Sequence, residues 1–435
     1  MVAEAKQRVS IFPILTVNFA GTLGFSIVLP SLIFLVTRFG GNAFVFGLMG
    51  ASYSFFQLLG APLLGRWSDR YGRRRVLFLS ELGTLVSWAV FLIAITLPDL
   101  PLANNDSKVL GAFMLTVPLV ALFLARALAG VTGGNVSIAN AYLADISDDA
   151  DRSANFGKMA VASNLGFVFG PALAGLLGAF GMGEVFTVVA ALLISVLVCL
   201  IIAFGLPDST PCVLGADPEH VNVRKLFGQA QKECFSMPAA RKLSPAEILM
   251  LPSMKLLLTV YFLVFFAFNL FYVAFPVYAA TGIHWSLQEI GVYFAAMGLM
   301  MALVQGPVLK RLSQHWSEQK LVLGGSALLA VSFPFFTSSS AAMIYSGTAL
   351  LAVGNGIMWP SLLAILSRMT ERSVQGTVQG FASSAGAVAS IAGLLLGGLL
   401  YASFGSRVFV VSAILVALTC GLSLLLPAKG SAKDG

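Results

Sequence analysis

Residues 65–77 read G-R-W-S-D-R-Y-G-R-R-R-V-L, and this short segment decides how the rest of the chain is interpreted. It carries five arginines and one aspartate between two long stretches that are almost free of charge. Apolar stretches of this kind are typical of membrane-spanning helices, which need about 20 residues to cross the bilayer. The sequence therefore predicts that residues 65–77 form a charged loop between two membrane helices.

The composition of the whole chain also indicates a membrane protein. Hydrophobic residues make up 58% of the 435 residues and charged residues only 10%, so a soluble domain could not cover its surface with polar groups. The apolar blocks are about twice the length of barrel strands, which predicts an all-α integral membrane protein with twelve spans. The predicted spans are 10–36, 44–65, 75–97, 111–136, 156–180, 184–206, 255–280, 287–309, 320–338, 341–366, 376–402 and 406–427.

One long segment, residues 207–254, interrupts the helices because it is rich in proline and charge. It divides the chain into two predicted pseudo-symmetric bundles of six helices, at 1–206 and 255–435. Within the segment, residues 223–235 place apolar side chains on one face of a helix. We therefore expect a linker whose middle part lies on the membrane surface.

The distribution of basic residues predicts the orientation. If the N-terminus is inside, 22 of the 26 lysines and arginines lie in the tails and loops of one side, and such an excess marks the cytoplasmic side. Both termini are therefore predicted to be cytoplasmic, with a bacterial inner membrane as the expected location. The same bias explains the net charge of +7 without nucleic acid as a partner.

The order of residues in the charged segment resembles the loop between helices 2 and 3 of the major facilitator superfamily. The matching residues are Gly65, Asp69, Arg70, Gly72, Arg73 and Arg74. The resemblance implies a monomeric twelve-helix transporter of small molecules that works by alternating access. It implies no cofactor and no metal, and the chain carries no enzyme motif.

The resemblance also implies a conformational latch. In the family, the aspartate matched by Asp69 meets the start of helix 11 in the outward-open state, where its charge interacts with the helix dipole. Arginines of the same loop reach an acid at the cytoplasmic end of helix 4, matched here by Asp145. Arg152, at the start of the fifth predicted helix, is included in the predicted latch. The alternative is that these charges are ordinary anchors at the membrane surface.

The fifth predicted helix carries Gly166, Gly170 and Pro171, and small residues at this spacing allow close helix packing. The Gly-Pro step resembles the signature of the drug:proton antiporter branch, and along the whole chain the likeness is to tetracycline-resistance exporters. Two acids of those exporters are absent, since Asn18 and Ser87 stand at the matching positions.

Two charged residues lie deep within the predicted helices. Arg126 is 18 and 19 residues from the nearest charges along the chain, Lys108 and Asp145, so its side chain cannot easily reach either interface. A charge in that position is costly unless it is paired or lies in a wet cavity. The family assigns the matching arginine to proton coupling, and Glu81 is the acid well inside the first six helices. We therefore predict that Arg126 and Glu81 couple protons to transport.

The remaining polar residues of the helix interiors are neutral and are predicted to line a substrate cavity: Asn18, Gln57, Asn164, Asn269, Tyr272, Tyr293, Gln305, Asn355 and Trp359. This set suits lipophilic or amphipathic solutes, organic anions among them, better than sugars. The chain is therefore predicted to export such molecules in exchange for protons, as multidrug efflux transporters do. The alternative is a lipid or lysolipid translocator, or a facilitator that needs no proton.

Overall fold

The computed structural model describes residues 10–107, 109–147, 151–181, 183–207, 244–251, 253–369 and 375–426, and it is almost entirely helical. Eleven helical segments are long and apolar enough to cross a membrane. The last of them, Val378–Ser423, contains two helices separated by a tight turn at Gly405–Arg407. The prediction of twelve spanning helices is thus confirmed. The surface helix predicted at 223–235 lies outside the described residues.

The spanning helices are labelled in chain order. They are α1 (Phe12–Arg38), α2 (Ala43–Tyr71), α3 (Arg73–Thr96), α4 (Val117–Ile146), α5 (Arg152–Ala179), α6 (Gly183–Gly205), α7 (Met254–Gly282), α8 (Leu287–His315), α9 (Glu318–Thr337), α10 (Ala341–Arg368), α11 (Gln375–Phe404) and α12 (Val408–Ser423). A short helix, Pro245–Met250, precedes α7 and begins with a capping box at Ser244.

The charged segment that joins α2 to α3 is much tighter than the predicted loop. Helix α2 continues to Tyr71 and α3 begins at Arg73, so only Gly72 separates them. Gly72 has φ +101°, a backbone conformation that residues with a side chain rarely adopt. The prediction of a loop over 65–77 was wrong because arginine favours helix, so charge alone does not end one.

The prediction that the fourth span begins at residue 111 was also wrong. Two antiparallel strands, β1 (Pro101–Ser107) and β2 (Gly111–Thr116), form a hairpin there, and α4 begins only at Val117. A short apolar run does not distinguish a strand from a helix, and this run was assigned to the helix. The hairpin marks one side of the bundle, called the hairpin side below. The opposite side, where Gly72 lies, is called the arginine side.

Helix α4 is broken in its middle. Its two segments, Val117–Thr132 and Asn135–Ile146, are joined by a two-residue glycine turn, which frees backbone carbonyls from helical bonding. Gln57 Nε2 of α2 donates to the carbonyl of Gly133 at 3.0 Å. Ser80 Oγ of α3 donates to the last carbonyl of the first segment at 2.5 Å. Side chains from two neighbouring helices therefore stabilise the break.

The two halves of the chain pack closely on the hairpin side. Where α2 crosses α11, a Cβ atom added to Gly47 would overlap the carbonyl oxygen of Leu394 and lie 3.1 Å from Gly398 Cα. Where α5 crosses α8, a Cβ atom added to Gly291 would lie 2.5 Å from the backbone of Gly175. Backbones can approach so closely only because these residues are glycines.

The same four helices leave space on the arginine side. Gly65 of α2, Gly157 of α5, Gly306 of α8 and Gly380 of α11 have no described atom of a neighbouring element within 4 Å of an added Cβ atom. The contacts of the two crossings therefore concentrate toward the hairpin side. The Cβ positions of these four glycines therefore face open space among the described residues.

Candidate functional site

A cavity of about 410 Å³ lies among the first six helices. Each of α1–α6 contributes to its wall, whereas no described residue of α7–α12 does. The wall is mostly apolar, with a few polar and aromatic side chains, as is typical of small-molecule sites. These side chains are Asn18, Thr22, Phe25, Tyr53, Gln57, Glu81, Thr84, Trp88, Asn135, Ser163, Phe167 and Ser195. This cavity is called the first-half cavity below.

Glu81 of α3 is the acid of this cavity, and only 2% of its surface is exposed. Ser195 Oγ of α6 donates a hydrogen bond to its Oε1 at 2.5 Å. Asn135 Nδ2, at the start of the second segment of α4, donates to its Oε2 at 3.4 Å. No cation within the described ranges pairs with Glu81. Its carboxyl group can therefore gain or lose a proton without leaving a cation unpaired.

Arg126 of α4 is 4% exposed and lies against two aromatic rings of the cavity wall. Its guanidinium carbon is 4.6 Å from the ring centroid of Tyr53 and 5.5 Å from that of Phe25. These are distances at which aromatic faces attract a cation. Its Nε atom is buried and makes no hydrogen bond to any residue that the structure describes.

Arg126 and Glu81 do not form an ion pair in this structure. Glu81 lies on the wall of the first-half cavity. The guanidinium of Arg126 lies over the rings of Phe25 and Tyr53, which form part of that wall. Coupling between the two residues would therefore act across the cavity and not through a direct contact. It stays a prediction.

Two residues predicted for the substrate cavity, Asn18 and Gln57, lie on its wall. Asn18 Nδ2 donates to Ser163 Oγ at 2.5 Å and to the carbonyl of Met159 at 3.2 Å, which ties α1 to α5. Gln57 holds the break in α4, as described above. Both amides therefore fix the shape of the cavity as well as lining it.

The other residues predicted for the substrate cavity do not line it: Asn164, Asn269, Tyr272, Tyr293, Gln305, Asn355 and Trp359. Asn164 Nδ2 lies 3.5 Å from Gln305 Oε1, which joins α5 to α8 across the two halves. Asn269 Nδ2 of α7 donates to Ser390 Oγ of α11 at 3.1 Å. These amides therefore connect helices rather than line the first-half cavity.

The aromatic residues of this group belong to clusters in the second half. Tyr293 is fully buried, stacks on Phe275 with ring centroids 4.2 Å apart, and accepts a hydrogen bond from Thr348 at 3.0 Å. Because the hydroxyl has this partner, the ring can pack in the core. Trp359 contacts Phe265 with a centroid separation of 4.8 Å. Tyr272 packs on Phe294 and Phe268, and Asn355 is 8% exposed on α10.

The residues predicted for the latch meet at the arginine side, within the first half of the chain. Arg73 Nε donates to Asp145 Oδ2 at 3.0 Å, which joins the start of α3 to the end of α4. The same guanidinium pairs with Asp69, which is largely exposed, and donates to Ser68 Oγ at 2.7 Å. Residues 370–374, which precede α11, and the side chains of its first three residues lie outside the described part, so a contact of Asp69 with the start of that helix stays a prediction.

Two further arginines extend this group. Arg74 Nε donates to the carbonyl of Ile202 at 3.1 Å, and its Nη2 donates to the carbonyl of Ala203. Those carbonyls belong to the last turn of α6, where a cation is favourable. Arg70 lies over the ring of Tyr71 at 5.6 Å. The side chain of Arg152 lies outside the described part of the structure.

The glycines predicted for packing in α5 lie where α5 crosses α1. A Cβ atom added to Gly166 would lie 2.7 Å from the carbonyl oxygen of Phe19, and one added to Gly170 would overlap Ser26 Oγ. Pro171 follows inside the helix, and its carbonyl oxygen lies 2.7 Å from the position of a Cβ atom on Gly291 of α8. This part of α5 thus packs against α1 of its own half and against α8 of the second half.

Sequence reasoning missed three residues of the site. Ser195 is an isolated hydroxyl in the apolar helix α6, and that isolation was the available signal. Asn135 carries no charge that would distinguish it in the sequence, and Tyr53 resembles the other aromatic residues of the helices. No group of histidine, cysteine and acidic residues suited to a metal is found in the described ranges.

Comparison with known proteins places the chain among transport proteins. The family model described as Major Facilitator Superfamily matches residues 14–305 and 257–434. The tetracycline resistance protein of class C from Escherichia coli is 28% identical over 380 residues, which cover 87% of this chain and 85% of that protein. The chain therefore resembles such proteins over most of its length.

Two solved structures are also similar. The crystal structure of the human organic anion transporter MFSD10 (TETRAN) superposes with a TM-score of 0.65 and 25% identity, covering 96% of this chain and 99% of that one. A bacterial homologue of the iron transporter ferroportin gives a TM-score of 0.72 at 16% identity, covering 96% and 98% of the two chains. The second similarity shows the fold alone.

Proposed function

Because this chain belongs to the major facilitator superfamily, we propose that it exports amphipathic or lipophilic small molecules in exchange for protons. It is a multi-pass membrane transporter and not an enzyme. Glu81 carries the proton, and substrate occupies the first-half cavity and the space between the halves. Alternating access exposes this space first to one side of the membrane and then to the other.

The observation that carries the proposal is the environment of Glu81. Its carboxyl group is buried in the wall of a cavity large enough for a small molecule, and its described partners are the neutral donors Ser195 and Asn135. An ionisable group within the membrane is costly, and in transporters such groups serve proton relays. Because substrate and proton would occupy one cavity, the binding of one can oppose the binding of the other.

The substrate class is supported by the wall of the cavity and by two relatives. Phe25, Tyr53, Trp88 and Phe167 provide aromatic surface on this wall, beside apolar and hydrogen-bonding side chains. One relative is named for tetracycline resistance and another is described as an organic anion transporter. Both descriptions concern molecules with an apolar body and polar groups. The same class is therefore proposed for this chain.

The arginine side is proposed to be cytoplasmic, because basic residues are retained on that side during insertion. Both termini are then cytoplasmic, and the membrane is proposed to be a bacterial inner membrane. In this orientation the free space beside Gly65, Gly157, Gly306 and Gly380 would face the cytoplasm. Asp69, Arg70, Arg73, Arg74, Arg152 and Asp145 are proposed to act as the latch that seals this side in the opposite state. Gly72 forms the turn between α2 and α3, and Gly65, inside α2, is proposed to belong to the latch as well. The transporter is proposed to act as a monomer.

The proposal can be tested with the purified protein in liposomes that contain a pH-sensitive dye. A panel of tetracycline, ethidium and 2-naphthylacetate is added, and proton movement and uptake of each compound are measured. At least one compound should move protons in the opposite direction to itself, in fixed proportion. Empty liposomes provide the control for passive diffusion.

The second candidate function predicts a different result in the same assay. The neutral second-half clusters and the aromatic wall would also suit a facilitator or a lysolipid translocator that needs no proton. A panel compound or a fluorescent lysolipid that is transported without any proton movement would support that function. It would contradict proton antiport.

A further inference from the structure

Arg126 is a buried cation that forms no ion pair with any acid in the described ranges. It is 4% exposed, and its Nε atom has no hydrogen-bond partner among the described residues. Its guanidinium lies near the rings of Phe25 and Tyr53, and Tyr272 of α7 also interacts with it electrostatically. We propose that the substrate itself supplies the missing counter-ion, so that the transported molecules are organic monoanions recognised at Arg126. This inference rests on the proposed function and narrows its substrate class.

The surroundings of Arg126 favour an anion over other substrates. The nearest acid of the cavity, Glu81, is held by Ser195 and Asn135 and makes no ion pair with Arg126. A cationic substrate would add a second positive charge in a region of low dielectric constant, and a neutral substrate would leave the first one unpaired. A carboxylate or sulfonate would pair the guanidinium and accept from its free N–H groups.

The two rings define the rest of the ligand. The ring centroids of Phe25 and Tyr53 are 5.1 Å apart, and both rings form part of the cavity wall. The apolar or aromatic body of a ligand can therefore lie against these rings while the charged group of the same ligand pairs with Arg126. The volume of about 410 Å³ suits a molecule of two or three fused rings. Asn18 and Ser87, the latter bonded to the carbonyl of Ala125, offer no acid to hold a metal-chelated drug. The expected ligand is therefore a compact aromatic monoanion.

The test compares three probes that share a naphthalene ring: the anion 2-naphthylacetate, the neutral 2-naphthylacetamide and the cation 2-naphthylethylamine. Their affinities for the purified full-length protein in detergent are measured by isothermal titration calorimetry. The anion should bind at least tenfold more tightly than the amide, a difference of about 1.4 kcal/mol, and the cation should bind more weakly than either. Equal affinities for the anion and the amide would overturn the inference, and this comparison needs no variant.

Two variants locate the preference. Arg126→Gln should reduce the affinity for the anion to that for the amide. Arg38→Gln is the matched control, because Arg38 also lies over a phenylalanine ring, at 5.4 Å, but is exposed on the hairpin side. The control should leave the preference unchanged. An anion preference that survives Arg126→Gln would overturn the assignment to Arg126.

The binding test and the liposome test can contradict the two proposals independently of each other. If no panel compound causes proton movement in the liposomes, the proposed antiport is wrong. The preference for an anion is still decided by calorimetry. If the parent binds all three probes equally but exchanges a panel compound for protons, antiport stands and recognition of an anion at Arg126 is wrong.

Discussion

Ser195 Oγ lies 2.5 Å from Glu81 Oε1, so the acid of α3 is bonded to α6 through a neutral hydroxyl group. Asn135 holds the other carboxyl oxygen from the start of the second segment of α4. The carboxyl group thus connects three helices of the first half. A change in its protonation would alter bonds to all of them, including the segment that follows the break in α4.

Removing the hydroxyl of Ser195 should destabilise the protein through Glu81. Ser195→Ala leaves a buried acceptor without its partner, which costs about 1–3 kcal/mol and should lower the midpoint of thermal unfolding. In a Glu81→Ala background the same substitution should cost clearly less, since the two residues are in contact. Ser361→Ala is the control, because among the described residues that buried hydroxyl bonds to a carbonyl of its own helix, at 2.8 Å. Equal losses in both backgrounds would contradict the described bond.

Arg73 and Asp145 should depend on each other for transport. Asp145→Asn should slow transport several-fold, with little change in stability because the pair is partly exposed. Exchanging the two residues, Arg73→Asp with Asp145→Arg, should restore part of the rate. Glu318→Gln is the control, since Glu318 pairs with Arg368 at 2.8 Å on the same side of the second half. Transport by Asp145→Asn at the parental rate would show that the pair is only an anchor.

Adding a side chain at Gly175 should disrupt the close packing of α5 against α8. Gly175→Leu cannot keep the approach to Gly291, so the hairpin side should open. A cysteine at Val277, which is 3% exposed and packs against first-half residues, should then react with a maleimide added from that side. Gly306→Leu is the control, because a Cβ atom added there has no described atom within 4 Å. Equal labelling in the parent and Gly175→Leu would show that the close packing of Gly175 against Gly291 does not keep the hairpin side closed.

The hairpin of β1 and β2 should also take part in closing the hairpin side. Ser403 Oγ of α11 donates to the carbonyl of Val109, next to β2, at 3.2 Å, so the hairpin of the first half touches the second half. A short cross-link between Val109→Cys and Ser403→Cys, in a background without the native cysteines, should stop transport. Reduction of a cleavable linker should restore it. Full transport by the cross-linked protein would show that the contact does not change during the cycle.

The fold could be predicted from the sequence because membrane insertion leaves few alternatives. Twelve apolar blocks must form helices in hydrocarbon, so their number followed directly from length and composition. Two boundaries could not be predicted. Charge at 65–77 did not end a helix, and the apolar strand β2 looked like the start of α4. Both depend on where the chain leaves the lipid, which a hydropathy pattern does not show.

The site could be predicted in part, for a similar reason. Glu81 and Arg126 were found because any charge in an apolar helix stands out. Ser195 and Tyr53 were missed because a hydroxyl or an aromatic ring is common in such helices and gains meaning only from its neighbour. The pair Gly-Asn occurs at 134–135 in α4 and again at 354–355 in α10, but α4 breaks there whereas α10 is continuous. Tertiary contacts from Gln57 and Ser80 stabilise that difference.

The most direct test of the account replaces the proposed proton carrier. Glu81→Gln keeps the shape of the side chain and removes its ability to ionise, so proton exchange should stop while substrate binding and substrate exchange continue. Glu289→Gln is the control, since Glu289 is an exposed acid that caps α8 and glutamine is tolerated there. The control should transport like the parent.

The measurement is the accumulation of a panel compound that the parent concentrates, driven by an imposed pH gradient in liposomes. Glu81→Gln should equilibrate the compound across the membrane, at the parental rate of exchange, without concentrating it. Accumulation by Glu81→Gln at the parental level would contradict the central claim, and would show that the protons are carried elsewhere or are not needed.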